Sequence, residues 1–113
     1  MADIALDRLT VGGAVVPALW WFEVRNLLVM NERRRRIAPA GTAIFLADLQ
    51  KLPIAIDRAP DSETVVELAR EHALSVYDAA YLELALRLAL PLATLDRALA
   101  AAAPAAGVEL LTA

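Results

Sequence analysis

The sequence predicts one α/β domain in which helices flank a mostly parallel sheet. Short apolar runs of strand length alternate with longer segments of helical periodicity, which is typical of parallel sheets with both faces buried. The length of 113 residues allows one hydrophobic core and is short for two. The chain is 59% hydrophobic and 22% charged, which favours a globular domain over a disordered chain.

The first half of the chain is predicted to contain two strands separated by two helices. Residues 3–10 have the pattern of the end of a helix, and the apolar run 14–16, closed by a proline, predicts a buried strand. A long helix is predicted over 18–36, followed by a second helix over 39–52 with a proline in its first turn. The apolar run 54–56 predicts the second strand.

The second half continues the alternation of helices and strands. Asp61 or Ser62 is predicted to cap a helix that ends near His72. The later predicted elements are a helix over 76–89, a strand over 92–95, a helix over 97–103 and a strand over 108–111.

The composition excludes several kinds of functional site. The absence of Cys rules out disulfides and thiolate chemistry and is compatible with a reducing cytoplasm, and a single His disfavours His-based zinc sites and Ser-His-Asp catalysis. No apolar run approaches the length of about 18 residues that a membrane span needs. The net charge of −3 provides no overall basic field, so nucleic-acid binding would depend on a local patch. Carboxylates are the reactive groups that remain.

Asp78 lies on the apolar face of its predicted helix, together with Tyr81, whereas Glu83 and Arg87 are predicted to face solvent. A buried acid needs a partner, because an uncompensated buried charge costs several kcal/mol. A capping box with Ser75 is a structural alternative. On this pattern alone, the structural and functional interpretations are equally good.

Two further acids have structural explanations when each is considered alone. Glu23 lies among apolar positions in the helix 18–36, where the helix dipole favours an early acid, and Asp96 follows the strand 92–95 as an N-cap. Ligands in open α/β sheets bind beyond the carboxyl ends of strands, where helix N-termini also gather. If these acids share that crevice with Asp78, their repulsion favours a bound Mg²⁺ or Mn²⁺.

Three segments, in order along the chain, resemble the motifs of the PIN domain family, and within it those of VapC-type toxins. The first resembles the family's helix that carries an acid and then an Asn, the second its most recognisable motif, and the third its last acidic motif. The segments are Val16–Leu28, Ser75–Leu82 and Leu92–Leu99.

The resemblance covers nearly the whole chain and implies a three-layer PIN-like fold. It implies that Glu23, Asp78 and Asp96 are the catalytic and metal-binding acids and that Asn26 and Thr94 support them. The implied function is that of a metal-dependent endoribonuclease toxin of a type II toxin–antitoxin pair. The resemblance further implies Mg²⁺ or Mn²⁺ as the cofactor, an RNA substrate, a cognate antitoxin, a homodimer and a cytoplasmic location.

The chain departs from the family's pattern at its N-terminus. Family members begin with a central strand that carries an Asp, and residues 3–10 correspond instead to a later helix. We therefore expect the first strand and its Asp to be missing, which predicts weaker metal binding and unpaired sheet edges. A non-catalytic, truncated PIN remnant that binds protein or RNA is the alternative function. A small phosphotransfer domain ranks lower, because the sequence has no adjacent acid pair.

Two other features have structural and functional interpretations. Tyr77 and Tyr81 are predicted to be core residues with hydroxyls near the acids. The only basic cluster is either a solvated helix end that complements the helix dipole or a contact for RNA phosphate or a protein partner. It consists of Arg33, Arg34, Arg35 and Arg36.

Overall fold

A parallel pair of strands forms the sheet in the computed structural model, which describes residues 14–111. Strand β1 (Ala14–Pro17) pairs with strand β2 (Ile54–Asp57) so that the first residues of the two strands are partners, as are the last. Both strands lie where the apolar runs predict them. The parallel arrangement requires a long crossover, which contains two helices.

Helix α1 (Leu19–Arg33) begins two residues after β1 ends. It ends three residues earlier than the periodicity predicts, because Arg35 adopts a left-handed conformation with φ 57° that helical residues cannot share. The helix packs its buried face against the core through side chains spaced four residues apart, which are Trp20, Val24 and Leu28.

Helix α2 (Pro39–Gln50) completes the crossover and agrees closely with the predicted range. Pro39 occupies the first turn, where its missing N–H costs no hydrogen bond. Leu49 is its buried residue, and the chain then turns through Pro53 into β2.

Three further helices follow β2, and a side chain caps each of them at its N-terminus. Helix α3 (Ser62–His72) packs along helix α4 (Val76–Leu88), and helix α5 (Arg97–Ala105) contacts α4 from another side. Both α4 and α1 contact β1, so α4 packs against the sheet as well as against α3 and α5. The capping side chains are Asp61, Ser75 and Asp96, which accept hydrogen bonds from the amides of Thr64, Asp78 and Leu99.

The two late strands are shorter than predicted. Instead of strands over 92–95 and 108–111, the structure has one parallel bridge, in which Leu92 N donates to Glu109 O (2.8 Å) and Leu111 N donates to Leu92 O (2.8 Å). The ladder stops after Leu92 because the Thr94 hydroxyl accepts a hydrogen bond from the Asp96 amide, at 3.0 Å, and turns the backbone towards α5. The prediction of full strands here was wrong.

The core lies between β1 and the helices, and the predicted α/β class is confirmed. None of the helices between residues 14 and 111 is long and apolar enough to cross a membrane. The expectations for residues 3–10 and for a missing first strand fall outside the described residues. The most completely buried core side chains are Leu82, Leu99, Ala79 and Ala103.

Candidate active site

Asp78 lies in the first turn of α4, and its carboxylate is partly buried. The Ser75 hydroxyl accepts a hydrogen bond from the Asp78 amide at 3.1 Å, which is the backbone half of the predicted capping box. Burial raises the pKa of Asp78, and so does the negative charge of Asp96, while hydrogen bonding with Ser75 opposes them with a smaller effect. The capping interaction therefore exists, but it does not offset the effects of burial and of Asp96 on the pKa of Asp78.

Asp96 is held at the start of α5 by two local hydrogen bonds. Its amide donates to the Thr94 hydroxyl at 3.0 Å, and its Oδ2 accepts from the Leu99 amide at 2.8 Å. Because one carboxylate oxygen caps the helix, the orientation of the group is fixed. Because the charge of Asp96 contributes to raising the pKa of Asp78, the two carboxylates lie within electrostatic range of each other.

Glu23 reaches the same region from α1 through a contact with α4. The Tyr81 hydroxyl donates a hydrogen bond to Glu23 Oε1. Burial, the bond to Glu23 and the charge of Asp78 all raise the pKa of Tyr81, in that order of size. Tyr81 therefore lies within electrostatic range of both acids. The predicted proximity of its hydroxyl to the acids is confirmed, whereas Tyr77, which is 67% exposed, is not a core residue.

The acids of this site have no cationic partner within the described residues. The ion pairs formed by residues 14–111 do not include Glu23, Asp78 or Asp96. The charge of Asp96 therefore acts on Asp78 with no ion pair to offset it, which is an electrostatic condition that favours a divalent cation.

The donor set suits a magnesium-type ion that keeps much of its water. No group of three His, Cys, Asp or Glu side chains among residues 14–111 converges closely enough to form a ready-made cage. Mg²⁺ rarely needs such a cage, because one or two carboxylates and several waters commonly hold it. Asp78 and Asp96 would be those carboxylates, and the Tyr81 hydroxyl, which bonds to Glu23, lies within electrostatic range of Asp78.

The two residues expected to support the acids, Asn26 and Thr94, differ in their contacts with the site. Thr94 orients the Asp96 backbone, whereas Asn26 is exposed on α1, three residues after Glu23. The four arginines at the end of α1 are all exposed. Glu23 and Arg33 are ten residues apart on this helix, which at about 1.5 Å per residue separates them by about 15 Å along its axis.

An ion network on the opposite side of α4 was not anticipated, and the predicted exposure of Glu83 was wrong. Glu83 is only 2% exposed and accepts hydrogen bonds from Arg87 Nε (2.7 Å), from Arg87 Nη2 (3.1 Å) and from the Asp61 amide (3.3 Å). Arg87 also donates two hydrogen bonds to the Asp57 carboxylate, at 3.2 and 2.6 Å. The i, i+4 spacing of Glu83 and Arg87 was a usable signal for the pair, but not for its burial.

The family of the chain follows from comparison with known proteins. The model of the PIN domain family matches residues 2–104. The crystal structure of PAE2754 from Pyrobaculum aerophilum superposes with a TM-score of 0.68 at 28% sequence identity, covering 78% of this chain. The chain spans 65% of the length of that protein. The comparison with curated proteins gave no match.

These matches agree with the observed fold. PIN domains are generally nucleases that depend on divalent metal ions and act on nucleic acids. The family match rests on the sequence and is independent of the electrostatics of Asp78 and Asp96. With 103 of its 113 residues (2 to 104) inside the family match, the chain belongs to the PIN domain family.

Proposed function

We propose that this chain is a metal-dependent endoribonuclease toxin of the VapC type, which hydrolyses RNA phosphodiesters in the cytoplasm as part of a type II toxin–antitoxin pair. Its catalytic and metal-binding acids are Glu23, Asp78 and Asp96. The observation that carries the proposal is that Asp78, whose pKa is raised by burial and by the charge of Asp96, forms no ion pair with a Lys or Arg among residues 14–111, where a purely structural acid would be expected to have a cationic partner.

The acids have separable roles. Asp78 and Asp96 hold the ion, and the helix cap that Asp96 forms through Oδ2 leaves its Oδ1 available. Glu23 engages Tyr81 through Oε1, so that Oε2 remains to accept a hydrogen bond or a proton from a water. When bound, Mg²⁺ or Mn²⁺ supplies a water of lowered pKa and neutralises charge on the phosphate.

The exposed arginines extend the site towards a substrate or a partner. Arg33, Arg34, Arg35 and Arg36 provide the local basic patch that a chain of net charge −3 needs for binding RNA. Arg33 lies about 15 Å from Glu23 along α1, so the cluster would contact phosphates of the RNA at a distance from the cleavage point. Asn26, between the acids and the arginines, would contact the substrate or a metal-bound water. A cognate antitoxin and a second copy of the chain are the proposed protein partners.

Metal-dependent RNA cleavage by matched variants tests this proposal. We expect cleavage with Mn²⁺ that stops in EDTA, and a loss of at least 10²-fold in Asp78→Asn and Asp96→Asn. Asp48→Asn is the matched control, because Asp48 is an exposed acid on α2 whose only ion pair is to Lys51 at 3.6 Å within the described residues. This control should cleave like the unmodified chain.

Two outcomes would contradict the proposal in different ways. Cleavage that persists in both EDTA and Asp78→Asn would show that the activity does not come from this site. RNA binding in a gel-shift assay without cleavage and without Mn²⁺ binding would instead favour the non-catalytic PIN remnant. Loss of RNA binding when all four arginines are changed to Gln, with Mn²⁺ affinity unchanged, would assign the basic cluster to the substrate.

A further inference from the structure

Tyr81 connects the two helices that carry the acids of the site. It lies three residues after Asp78 on α4, and only 7% of it is exposed, within the hydrophobic core. Its hydroxyl emerges from that core and donates a hydrogen bond to Glu23 Oε1, across 58 residues of sequence. A buried ring has little freedom to move, so the position of this hydroxyl is fixed by packing.

Glu23, by contrast, has a long side chain that needs an anchor. It is only partly buried on α1, and no Lys or Arg in the described part of the chain pairs with it. Ordering a free Glu side chain costs rotamer entropy, which a ligand would otherwise have to overcome. The hydrogen bond from Tyr81 orders the carboxylate before any cation arrives.

We propose that Tyr81 is a positioning residue that orients Glu23 for the bound cation, leaving Oε2 as the oxygen directed at the ion or its water. This inference rests on the proposed function, because it requires Glu23 to serve a metal site. Residues that hydrogen-bond to a metal-bound carboxylate commonly change metal affinity by 10–100-fold. Tyr81 would thus strengthen cation binding without touching the ion.

Removal of the hydroxyl alone tests the proposal. Tyr81→Phe keeps the buried ring and deletes the bond to Glu23, so we expect Mn²⁺ to bind about 10–100-fold more weakly in a calorimetric titration. Tyr77→Phe is the matched control, since Tyr77 lies four residues earlier on α4 with 67% exposure and should bind Mn²⁺ within twofold of the unmodified chain. Thermal unfolding in EDTA reports any loss of folding separately from the loss of metal affinity.

A double substitution shows whether Tyr81 acts through Glu23. In a Glu23→Gln background, Tyr81→Phe should cause no further loss of Mn²⁺ affinity, because the carboxylate that it orients is gone. A general packing defect would weaken binding equally in both backgrounds. An additive loss therefore overturns the positioning role, and so does an increase in affinity in Tyr81→Phe, which would mean that the hydroxyl competes with the ion for Glu23.

The failure of this inference is distinguishable from that of the proposed function. If Asp78→Asn and Glu23→Gln lose Mn²⁺ affinity but Tyr81→Phe does not, only the role of Tyr81 is refuted. If none of these acid variants changes Mn²⁺ binding, or if the unmodified chain binds no Mn²⁺, the metal site itself is refuted and the inference fails with it.

Discussion

The buried end of the ion network on α4 gives the most direct stability prediction. Glu83 is 2% exposed and receives two hydrogen bonds from Arg87 and one from the Asp61 amide. Glu83→Gln keeps the shape and one acceptor oxygen but removes the charge. The Arg87 guanidinium, which Asp57 still holds at its other edge, then loses its buried counter-ion.

The size of the effect follows from the contacts that are weakened. A hydrogen bond to a charged group contributes about 1.5–3 kcal/mol. Gln has only one acceptor oxygen, so fewer bonds to Arg87 and to the Asp61 amide remain, and none of them joins two charged groups. We expect Glu83→Gln to lower the free energy of unfolding by about 2 kcal/mol. At about 4–8 °C per kcal/mol for a domain of about 100 residues, the melting temperature should fall by about 8–16 °C.

Urea unfolding in EDTA, followed through the fluorescence of buried Trp20 together with circular dichroism, measures this loss without interference from metal. Glu67→Gln is the control, because Glu67 is exposed on α3 and surface substitutions usually stay within about 0.5 kcal/mol. If Glu83→Gln unfolds at the same urea concentration as Glu67→Gln, the network contributes no net stability and the reasoning is refuted.

Three further predictions concern other described residues. The pKa of Asp78 is raised above 3.8, so its charge lowers the stability of the fold as the pH rises through the folded pKa. Asp78→Asn should therefore melt at a higher temperature than the unmodified chain at pH 7 in EDTA, and at the same temperature below pH 3.8. A lower melting temperature at pH 7 would contradict this. Hydrogen bonds from Thr64 lower the pKa of Asp61. The stabilising effect of this carboxylate is full above pH 3.8 and disappears as the pH falls through the folded pKa. Asp61→Ala should therefore lower the melting temperature at pH 7 and have the same melting temperature as the unmodified chain in strong acid. Ala89 follows the last residue of α4 with φ 53°, a left-handed conformation in which Gly avoids steric strain. Ala89→Gly should therefore raise the free energy of unfolding by up to about 1 kcal/mol, measured as a higher urea midpoint. A lower midpoint would show that the helix end is unstrained.

Local chemistry explains what the sequence predicted well. The helix starts at Ser62 and Arg97 follow from capping side chains directly before them, and both strands of the sheet follow from apolar runs closed by prolines or polar residues. The apolar residues 92–95 have the pattern of a strand, but the Thr94 hydroxyl accepts a hydrogen bond from the Asp96 amide and turns the backbone, so the strand prediction failed there.

The burial of Glu83 and the electrostatic interaction between Asp78 and Asp96 depend on long-range packing. Helical periodicity assigns Glu83 to a side of α4 away from Asp78, but α3 and the end of β2 cover that side, which no local pattern reveals. The meeting of Asp78 with Asp96 was inferred from the rule for strand ends and from the family resemblance. The bond between Tyr81 and Glu23 joins residues 58 positions apart, so only the fold could show it.

Helix α4 thus carries acids on two sides that the protein treats in opposite ways. On one side, Arg87 neutralises Glu83, and the acid stabilises the fold. On the other, Asp78 faces the like charge of Asp96, and the acid costs stability in the absence of a cation. An acid that lowers stability and has no ion pair to offset its charge is expected at a functional site rather than at a structural one. The signs of two substitutions in EDTA separate these roles, because Glu83→Gln should destabilise the chain and Asp78→Asn should stabilise it. If both destabilised it equally, Asp78 would be another structural acid, and the electrostatic argument for a metal site would fail.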